Sequence, residues 1–272
     1  MARFVIVPQW QGSPSSRAMQ LVDGAQAIAG DLPRASSTLI EVALEAGEAL
    51  ETGVLRFSAL ARTRDAVAEA TAGDDPSVIV IGGDCGVSIG AIASALERDP
   101  SLAVVWFDAH PDLHTPETSI SGAFGGMALS AVLGEGADGL ALPSGGIPAD
   151  RILLAGARDY ETDEEARVAQ LGIRAIDVAD LEPETLASAV SATGASGVYI
   201  HVDLDVLDPS VLTGVTGAVP FGLTLTQLLG AISAVRGAVP LAGATIAGFA
   251  PASPDAAADD LGTILRIVGA LA

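Results

Sequence analysis

The feature that most constrains the fold is the alternation of short β-rich runs with longer stretches of helical period. Six runs rich in β-branched and aromatic residues predict strands at 3–7, 78–82, 102–107, 151–155, 197–202 and 242–247. Alanine- and leucine-rich stretches predict helices at 37–49, 57–71, 87–97, 182–192, 223–235 and 256–271. Such alternation is typical of βαβ units, so we predict an α/β protein with three layers, α/β/α, around a mostly parallel central sheet. No repeat or linker divides the chain, and we expect residues 1–272 to form one domain.

The hydropathy of the chain argues against a membrane protein or a secreted one. Half of the residues are hydrophobic and the mean hydropathy is +0.48, but no apolar run reaches the roughly 18–20 residues of a membrane span. The first apolar run ends at Pro8, short of the roughly 7–15 residues in the core of a signal peptide. The single cysteine cannot form an intramolecular disulfide. We therefore expect a cytoplasmic protein that does not bind membranes.

The charge of the chain excludes further partners and chemistries. The 34 acidic residues outnumber the 13 basic ones and give a net charge of −21, which repels phosphate backbones, so we expect no nucleic-acid partner. All 13 basic residues are arginines. Because lysine is absent, Schiff-base chemistry, pyridoxal phosphate catalysis and the lysine of a phosphate-binding loop are excluded.

Polar side chains gather where three of the predicted strands end. The segments are IGGDCG at 81–86, VWFDAHPD at 105–112 and IHVDLDVLDP at 200–209. In open α/β sheets, ligands bind outside the carboxyl ends of the strands. We therefore expect one edge of the sheet to collect Asp84, Cys85, Asp108, His110, Asp112, Asp203, Asp205 and Asp208.

The spacing of these residues favours a metal site. In an extended segment, side chains two residues apart point the same way, as do Asp108, His110 and Asp112 in one segment and Asp203 and Asp205 in another. Carboxylates that converge without a basic partner repel each other unless cations lie between them. Four aspartates, an imidazole and a thiolate are sufficient to hold two divalent ions with shared carboxylates.

Each part of this pattern also has a simpler explanation. Aspartates at strand ends often cap the next helix, and a lone buried cysteine is usually a small hydrophobic residue. Asp208 precedes Pro209 and is expected in a turn. His201 shares a face with Asp203 and Asp205 but lies deeper in its strand, so we expect it to support the ligands rather than bind an ion. The metal hypothesis depends on the conjunction of the parts.

Three segments resemble the signature blocks of the arginase/agmatinase family of ureohydrolases. GGDC at 82–85, DAHPD at 108–112 and HVDLDVLDP at 201–209 match these blocks in order and spacing across nearly the whole chain. The resemblance implies an arginase-like fold and a dimanganese centre, in which a metal-bridging hydroxide attacks the carbon of a guanidino group. It also implies the ligands of the two Mn²⁺ ions: Cys85 and Asp112 for one, His110 and Asp205 for the other, with Asp108 and Asp203 bridging both.

The chain departs from the family pattern at four positions. Cys85 stands where the family usually has a histidine ligand, and a soft thiolate suits zinc or iron better than manganese, so other divalent ions are possible. Near the substrate, Gly125 and Ala123 replace the usual histidine and asparagine. Gly248 replaces the glutamate that normally pairs with a guanidinium. Either the site has decayed into a metal-binding pseudoenzyme, or its substrate has changed.

A changed substrate would explain the missing glutamate. An N-hydroxy group withdraws electrons, so it makes a guanidine less basic and a carboxylate partner dispensable. A branch of the same family that carries cysteine at this ligand position hydrolyses Nω-hydroxy-L-arginine to hydroxyurea and L-ornithine in D-cycloserine biosynthesis. We predict this antibiotic-biosynthetic reaction for the chain. The alternatives are another guanidino or formimino compound, as for an arginase or agmatinase, and a pseudoenzyme.

The resemblance also suggests which residues contact the substrate. By position, the loop at 114–121 would meet the α-amino and carboxylate groups of the substrate, and the segment AGARDYETDE at 155–164 would supply acidic contacts. Solvated loop and helix-start charges explain the same residues equally well. The candidate substrate contacts are His114, Ser119, Ser121, Glu161 and Glu164.

His114 has a second possible role, as donor of a proton to the leaving amine in place of the missing histidine. The predicted catalytic residues are therefore His114 and the bridging Asp108. The expected partner is a small guanidino compound, and the resemblance makes a homo-oligomer possible because ureohydrolases often form trimers or hexamers.

Overall fold

A single parallel sheet forms the centre of the protein. The structure is a computed structural model that describes residues 2–73 and 78–272. Within these residues the strands are β1 Arg3–Ile6, β2 Ser37–Leu39, β3 Val78–Ile81, β4 Ala103–Phe107, β5 Ile152–Ala155, β6 Arg174–Ile176, β7 Val198–Asp203 and β8 Leu241–Ala247. Every pair is parallel, in the order β2-β1-β3-β8-β7-β4-β5-β6. The six predicted strands are confirmed to within one residue at each end, and β2 and β6 were not predicted.

Helices cover both faces of the sheet. In the described residues they are α1 Gln20–Gly30, α2 Phe57–Thr71, α3 Ser88–Arg98, α4 Ala128–Val132, α5 Thr162–Leu171, α6 Pro183–Ala192, α7 Leu225–Ala238 and α8 Pro254–Leu271. One hydrophobic core lies between the sheet and α1, α6, α7 and α8, and a second lies beneath α2, α3, α4 and α5. The predicted three-layer α/β/α architecture is confirmed.

The helix predicted at 37–49 is wrong. Ser37–Leu39 forms the edge strand β2, which pairs in parallel with β1, and the chain after it is irregular. The side chain of Gln11 donates hydrogen bonds to the backbone carbonyls of Ala43 (2.7 Å) and Glu45 (3.2 Å). Gly47 then adopts a positive φ of 81°. Pairing at the sheet edge and these tertiary hydrogen bonds satisfy backbone groups that a helix would otherwise pair internally.

The inner strands are buried on both faces, as their continuous apolar runs predict. Every residue of β3, β4 and β5 is buried, because helices cover the sheet above and below. The three strands whose ends carry the polar segments, β3, β7 and β4, lie in the middle of the sheet with only β8 between β3 and β7. Their carboxyl ends therefore open at one place on the molecule.

In the part of the chain that the structure describes, no helix is both long and apolar enough to cross a membrane.

Candidate metal centre

Side chains from the ends of β3, β4 and β7 meet in two groups that share Asp108. In the first, the Cys85 Sγ atom lies 3.0 Å from Asp203 Oδ2 and 3.5 Å from Asp108 Oδ2. In the second, the His110 Nδ1 atom lies 3.0 Å from Asp205 Oδ2 and 3.5 Å from Asp108 Oδ1. Two adjacent sets of S, N and O donors with a common carboxylate are suited to a pair of divalent ions.

Asp112 completes the set of predicted ligands at the end of the DAHPD segment. Its backbone is left-handed, with φ of 52°, and its carbonyl accepts hydrogen bonds from the backbone N–H groups of Leu129 (3.0 Å) and Ser130 (3.2 Å) at the start of α4. The side chain is 5% exposed, and its Oδ2 atom has no hydrogen-bond partner among the described residues. A buried carboxylate oxygen without a partner is costly, and a cation would satisfy it.

Backbone hydrogen bonds hold the carboxylates of the centre in place. Asp108 accepts one from the N–H of His110 (2.7 Å), and Asp203 accepts one from the N–H of Asp205 (2.9 Å). Asp205 in turn accepts one from the N–H of Ala109 (3.0 Å), which connects the ends of β7 and β4. The strands thus bring the carboxylates together, and backbone N–H groups in the turns after the strands hold the carboxylates in one orientation.

The electrostatics of the centre favour bound cations. Burial and the neighbouring carboxylates raise the pKa values of Asp108, Asp112 and Asp205, and they raise that of Asp203 to about 7. Burial, followed by the same carboxylates, raises the pKa of the Cys85 thiol well above its ordinary range. Metal ions would offset this desolvation and repulsion and would hold the groups in their ionised forms. The residues present therefore fit a dimetal centre.

One imidazole of the cluster faces solvent and acidic groups. Burial lowers the pKa of His110, but hydrogen bonds with Asp108 and Asp205 more than compensate and raise it to about 12. Its second ring nitrogen, Nε2, lies 3.6 Å from Asp159 Oδ2. Asp159 was missed by the sequence analysis, although it lies in the segment after β5 that was singled out for its acidic residues.

His201 lies beneath the centre. Its ring stacks on Trp106, its partner across β7 and β4, with the centroids 3.6 Å apart and the planes at 15°. Its Nδ1 atom lies 2.7 Å from the Ser88 hydroxyl on α3. Burial lowers the pKa of His201 to about 3. Its Nε2 atom has no hydrogen-bond partner among the described residues and lies 4.0 Å from Asp108 Oδ2.

Two aspartates near the centre have structural contacts that account for them. Asp84 accepts hydrogen bonds from the Gln9 side chain (2.9 Å) and from the N–H groups of Gly12 (3.0 Å) and Gly86 (3.0 Å), which fastens the segment after β1 to the end of β3. Asp208 accepts bonds from the backbone and hydroxyl of Ser210, as expected of a turn residue.

A cavity of about 700 Å³ opens above the centre, within the size range of small-molecule sites. Asp108 belongs to the floor of this cavity but is fully buried and does not line the open space. The structure brings the other predicted site residues to its wall: Cys85, His110, Asp112, His114, Ser119, Ser121, Glu161, Glu164, Asp203 and Asp205. Their roles as ligands and substrate contacts stay predictions.

The candidate substrate contacts form an acidic rim around His114. Its Nε2 atom lies 3.3 Å from Glu161 Oε2 and 3.8 Å from Glu164 Oε2, and its Nδ1 atom lies 3.2 Å from the Thr118 hydroxyl. Glu164 also accepts hydrogen bonds from the N–H groups of Leu113 (3.0 Å) and Glu161 (3.1 Å), and the second of these is part of the capping box of α5. Burial raises the pKa of Glu164.

The two serines of the rim make only local contacts. The hydroxyl of Ser119 accepts a hydrogen bond from the N–H of Gly122 (3.1 Å), and that of Ser121 accepts one from the N–H of Ala123 (3.2 Å). These bonds close turns within the loop. The two hydroxyl oxygens also lie 3.4 Å apart, so one hydroxyl donates to the other and the second proton is available to a ligand.

The glycine at 248 leaves no space for a larger residue. A Cβ atom built there would lie 2.3 Å from Asp203 Oδ1, and the backbone φ is +85°. The glutamate that this family usually carries there would need Asp203 to move. At Gly125, a Cβ atom would lie 3.2 Å from the backbone oxygen of Gly12, which is tight but less restrictive.

Arg158 is a structural residue that the sequence analysis missed. Its guanidinium donates to the backbone carbonyls of Asp205 (2.8 Å), Val219 (2.8 Å) and Pro220 (3.1 Å). It thereby connects the segment after β5 to the turn that carries a predicted ligand. A half-buried arginine that binds only carbonyls has no sequence signature of its own.

Comparisons with known proteins identify the family of the chain. The model of the Arginase family matches residues 18–263. The N(omega)-hydroxy-L-arginine amidinohydrolase of Streptomyces lavendulae is 31% identical over 210 residues, which cover 77% of this chain and 74% of that protein. The arginase of Bacillus caldovelox is 34% identical over 160 residues, which cover 55% of this chain and 53% of that protein. The chain spans about half the length of this and other bacterial arginases that it matches in sequence.

A solved arginase structure has the same fold as this chain. The arginase of Entamoeba histolytica in complex with L-ornithine superposes with a TM-score of 0.85 at 23% sequence identity, over 99% of this chain and 97% of that one. Because the family model covers most of the sequence, the chain belongs to the arginase family.

Proposed function

We propose that the protein is a dimetal amidinohydrolase that hydrolyses Nω-hydroxy-L-arginine to hydroxyurea and L-ornithine. The observation that carries the proposal is the pair of donor groups that share Asp108 beneath a cavity of about 700 Å³. The reaction adds one water across the bond between the guanidino carbon and the ornithine nitrogen.

The proposed centre holds two divalent ions, Mn²⁺ or a softer ion. The six residues that would bind them are Cys85, Asp108, His110, Asp112, Asp203 and Asp205. When bound, such ions activate a water molecule as nucleophile and stabilise the negative charge that develops on the attacked carbon's substituents. The fixed carboxylates orient the donors so that little rearrangement is needed for binding.

The choice of substrate is supported by the lack of space at Gly248. Glycine supplies no counter-ion at the position that pairs with a guanidinium elsewhere in the family, and a Cβ atom there would lie 2.3 Å from Asp203 Oδ1. A protonated guanidinium would then enter a pocket next to cations without compensation. An N-hydroxyguanidine is less basic and can enter in its neutral form, and this favours the hydroxylated substrate.

The rim supplies groups that suit the amino-acid end of the substrate. In this proposal Glu161 and Glu164 attract an α-ammonium group, and a hydroxyl of Ser119 or Ser121 donates to an α-carboxylate. His114 lines the same cavity as the proposed ligands, and its Nε2 atom lies 3.3 Å from Glu161 Oε2, so it is the proposed donor of a proton to the leaving amine.

The proposal is tested by measuring ornithine release from Nω-hydroxy-L-arginine and from L-arginine with protein reconstituted in Mn²⁺ or Zn²⁺. Asp205→Ala serves as the blank. Preference for the hydroxylated substrate, lost in the blank, supports both the centre and the role of Gly248. Preference for L-arginine would instead favour the arginase activity of the Bacillus caldovelox relative.

A second panel distinguishes the remaining alternatives. Agmatine and a formimino amino acid test the other substrates that a ureohydrolase centre can accept. Stoichiometric metal binding without turnover of any of these compounds would refute the enzymatic proposal and would indicate a metal-binding pseudoenzyme.

A further inference from the structure

The centre contains one buried donor atom that the proposed ligand set does not use. His201 is fully buried, and its Nε2 atom has no hydrogen-bond partner among the described residues. Buried polar atoms in folded proteins are nearly always paired, so an unpaired ring nitrogen requires an explanation. The core contact with Trp106 accounts for the ring of His201 but not for this atom.

The surroundings of His201 hold its ring in one orientation. Trp106 packs on one face of the ring, and the Ser88 hydroxyl lies 2.7 Å from Nδ1. When Nδ1–H donates to this hydroxyl, Nε2 carries the free lone pair. Buried ligand imidazoles are oriented in this way, by a hydrogen bond at the ring nitrogen that does not bind the metal.

The lone pair of Nε2 belongs to a compact group of donors. A ring nitrogen of His201, Cys85 Sγ and a carboxylate oxygen of Asp108 all lie within 4.8 Å of one another. Asp108 Oδ2 lies 4.0 Å from His201 Nε2 and 3.5 Å from Cys85 Sγ. Metal–ligand bonds of about 2.0–2.3 Å in a tetrahedral site place donors roughly 3.3–3.8 Å apart. Small side-chain shifts are sufficient to close the group around one ion.

We propose that His201 Nε2 is a direct ligand, together with Cys85 and Asp108, of the ion on the Cys85 side of the centre. This inference rests on the proposed dimetal centre and revises the expectation that His201 only supports other ligands. A sulfur, an imidazole and a carboxylate are a typical donor set for zinc and related ions, so this half of the centre should prefer Zn²⁺ or Co²⁺ to Mn²⁺. The opposite half, with His110 and Asp205, lacks sulfur.

The first test observes His201 directly in the wild-type protein. The chain has three histidines, so ¹⁵N-histidine labelling yields three rings that can be assigned with one variant each. During a Zn²⁺ titration, the Nε2 resonance of His201 should move to the range of metal-bound imidazole nitrogen in proportion to ion bound. A response confined to His110 would overturn the inference and leave the proposed centre intact.

The second test compares His201→Asn with Ser88→Ala by Co²⁺ binding. Asn keeps a polar group near Nδ1 but has none at the position of Nε2, whereas Ser88→Ala removes only the group that orients the ring. We expect His201→Asn to weaken binding of the thiolate-bound Co²⁺ by more than about 100-fold and Ser88→Ala by about 10-fold, because loss of an orienting group typically costs about 10- to 100-fold. The thiolate-to-Co²⁺ absorption band reports this ion alone, and circular dichroism reports the fold.

The outcomes separate two kinds of failure. A His201→Asn protein with wild-type Co²⁺ affinity, or with no greater loss than Ser88→Ala, would overturn the inference. If the wild type bound no ion and showed no thiolate band, the dimetal centre itself would fail, and the inference with it. If the Asn variant does not fold, the wild-type titration decides.

Discussion

The floor and the rim of the cavity are built in different ways. The floor residues Cys85, Asp108, Asp112, Asp203 and Asp205 are all buried at the ends of central strands or in the turns that follow them. The rim comprises His114, Ser119, Ser121, Glu161 and Glu164 and lies on loops and on the start of α5. The side chain of Glu161 is 66% exposed, whereas that of Asp108 is fully buried. The sheet thus fixes the proposed chemistry of the site, while loops that can vary without disturbing the sheet provide recognition.

The largest expected effect distinguishes an aspartate of the floor from an aspartate beside it. Asp108→Asn should reduce turnover by at least about 1000-fold, since loss of the shared carboxylate would remove several kcal/mol of metal-dependent stabilisation. Asp84→Asn should leave metal affinity unchanged and lower the free energy of unfolding by about 1–3 kcal/mol, because Asp84 only accepts structural hydrogen bonds. Metal content, turnover and the free energy of unfolding are measured for both variants. Equal metal loss in the two variants would contradict the distinction between a metal-binding Asp108 and a structural Asp84.

The next effect compares two glycines of the same cavity wall. Gly248→Ala should lower the free energy of unfolding by about 2–4 kcal/mol, because its Cβ would lie 2.3 Å from Asp203 Oδ1 and its φ is +85°. Gly217→Ala should change it by less than about 0.5 kcal/mol, because its nearest neighbour is 3.6 Å away, at His110 Cε1. Urea unfolding of the metal-free proteins measures this difference. A tolerated alanine at 248 would mean that the floor is more adaptable than its packing indicates.

A third prediction concerns the dependence of stability on pH and metal. Burial and Asp205 raise the pKa of Asp203 from 3.8 to about 7, so in this range the folded protein retains a proton that the unfolded chain has lost. This raised pKa lowers the free energy of unfolding as the pH rises. The loss of stability is absent below about pH 4 and complete above about pH 7. Metal-free Asp203→Asn should therefore be more stable than metal-free wild type at pH 8, by up to about 4 kcal/mol, and equal to it near pH 4.

Saturating metal should reverse that order, because the ionised carboxylate then has a partner and the amide is a poor replacement. Urea unfolding at pH 4, 6 and 8, with and without Zn²⁺, measures the effect. If the metal-free wild type were the more stable protein at pH 8, the carboxylates of the floor would not be in electrostatic conflict.

The smallest effect is expected at the rim. Ser119→Ala should raise KM for the hydroxylated substrate by about 2- to 10-fold with kcat nearly unchanged, as expected for one hydrogen bond made equally in the ground and transition states. Ser191→Ala, on the remote helix α6, is the matched control and should change neither parameter. A loss of kcat at constant KM would assign Ser119 to the chemistry and not to binding.

The central part of the fold could be predicted because its signals are local and strong. Strands β3, β4 and β5 are short apolar runs next to helical stretches, and their parallel pairing brings their polar ends to one edge. The edge strands β2 and β6 contain exposed polar residues and only three residues each, so their sequence does not distinguish them from loops. The segment that includes β2 was assigned to a helix because its alanine-rich composition favours that state. Pairing with β1 and the hydrogen bonds from Gln11, which oppose it, are both tertiary contacts.

The candidate metal ligands could also be predicted from the sequence, but their contacts with other elements could not. The spacing of the aspartates and of His110 indicated which side chains share a face, since this depends on strand geometry alone. The unpaired nitrogen of His201 depends on Trp106 and Ser88, which belong to other elements, and the steric limit at Gly248 depends on Asp203. Relations between elements of this kind become visible only when the chain is folded.

The hydrogen bonds from the N–H groups of His110, Asp205 and Ala109 to the three carboxylates have a consequence for how ions enter the protein. These side chains lose their rotamer freedom when the chain folds and not when an ion arrives, so the centre is preorganised in the metal-free state. Ion capture then requires no conformational transition beyond small shifts of donor atoms. The rates at which ions bind and exchange should therefore be set by desolvation of the ion and by its access through the cavity. Metal-free protein should stay folded and become active when it binds ions.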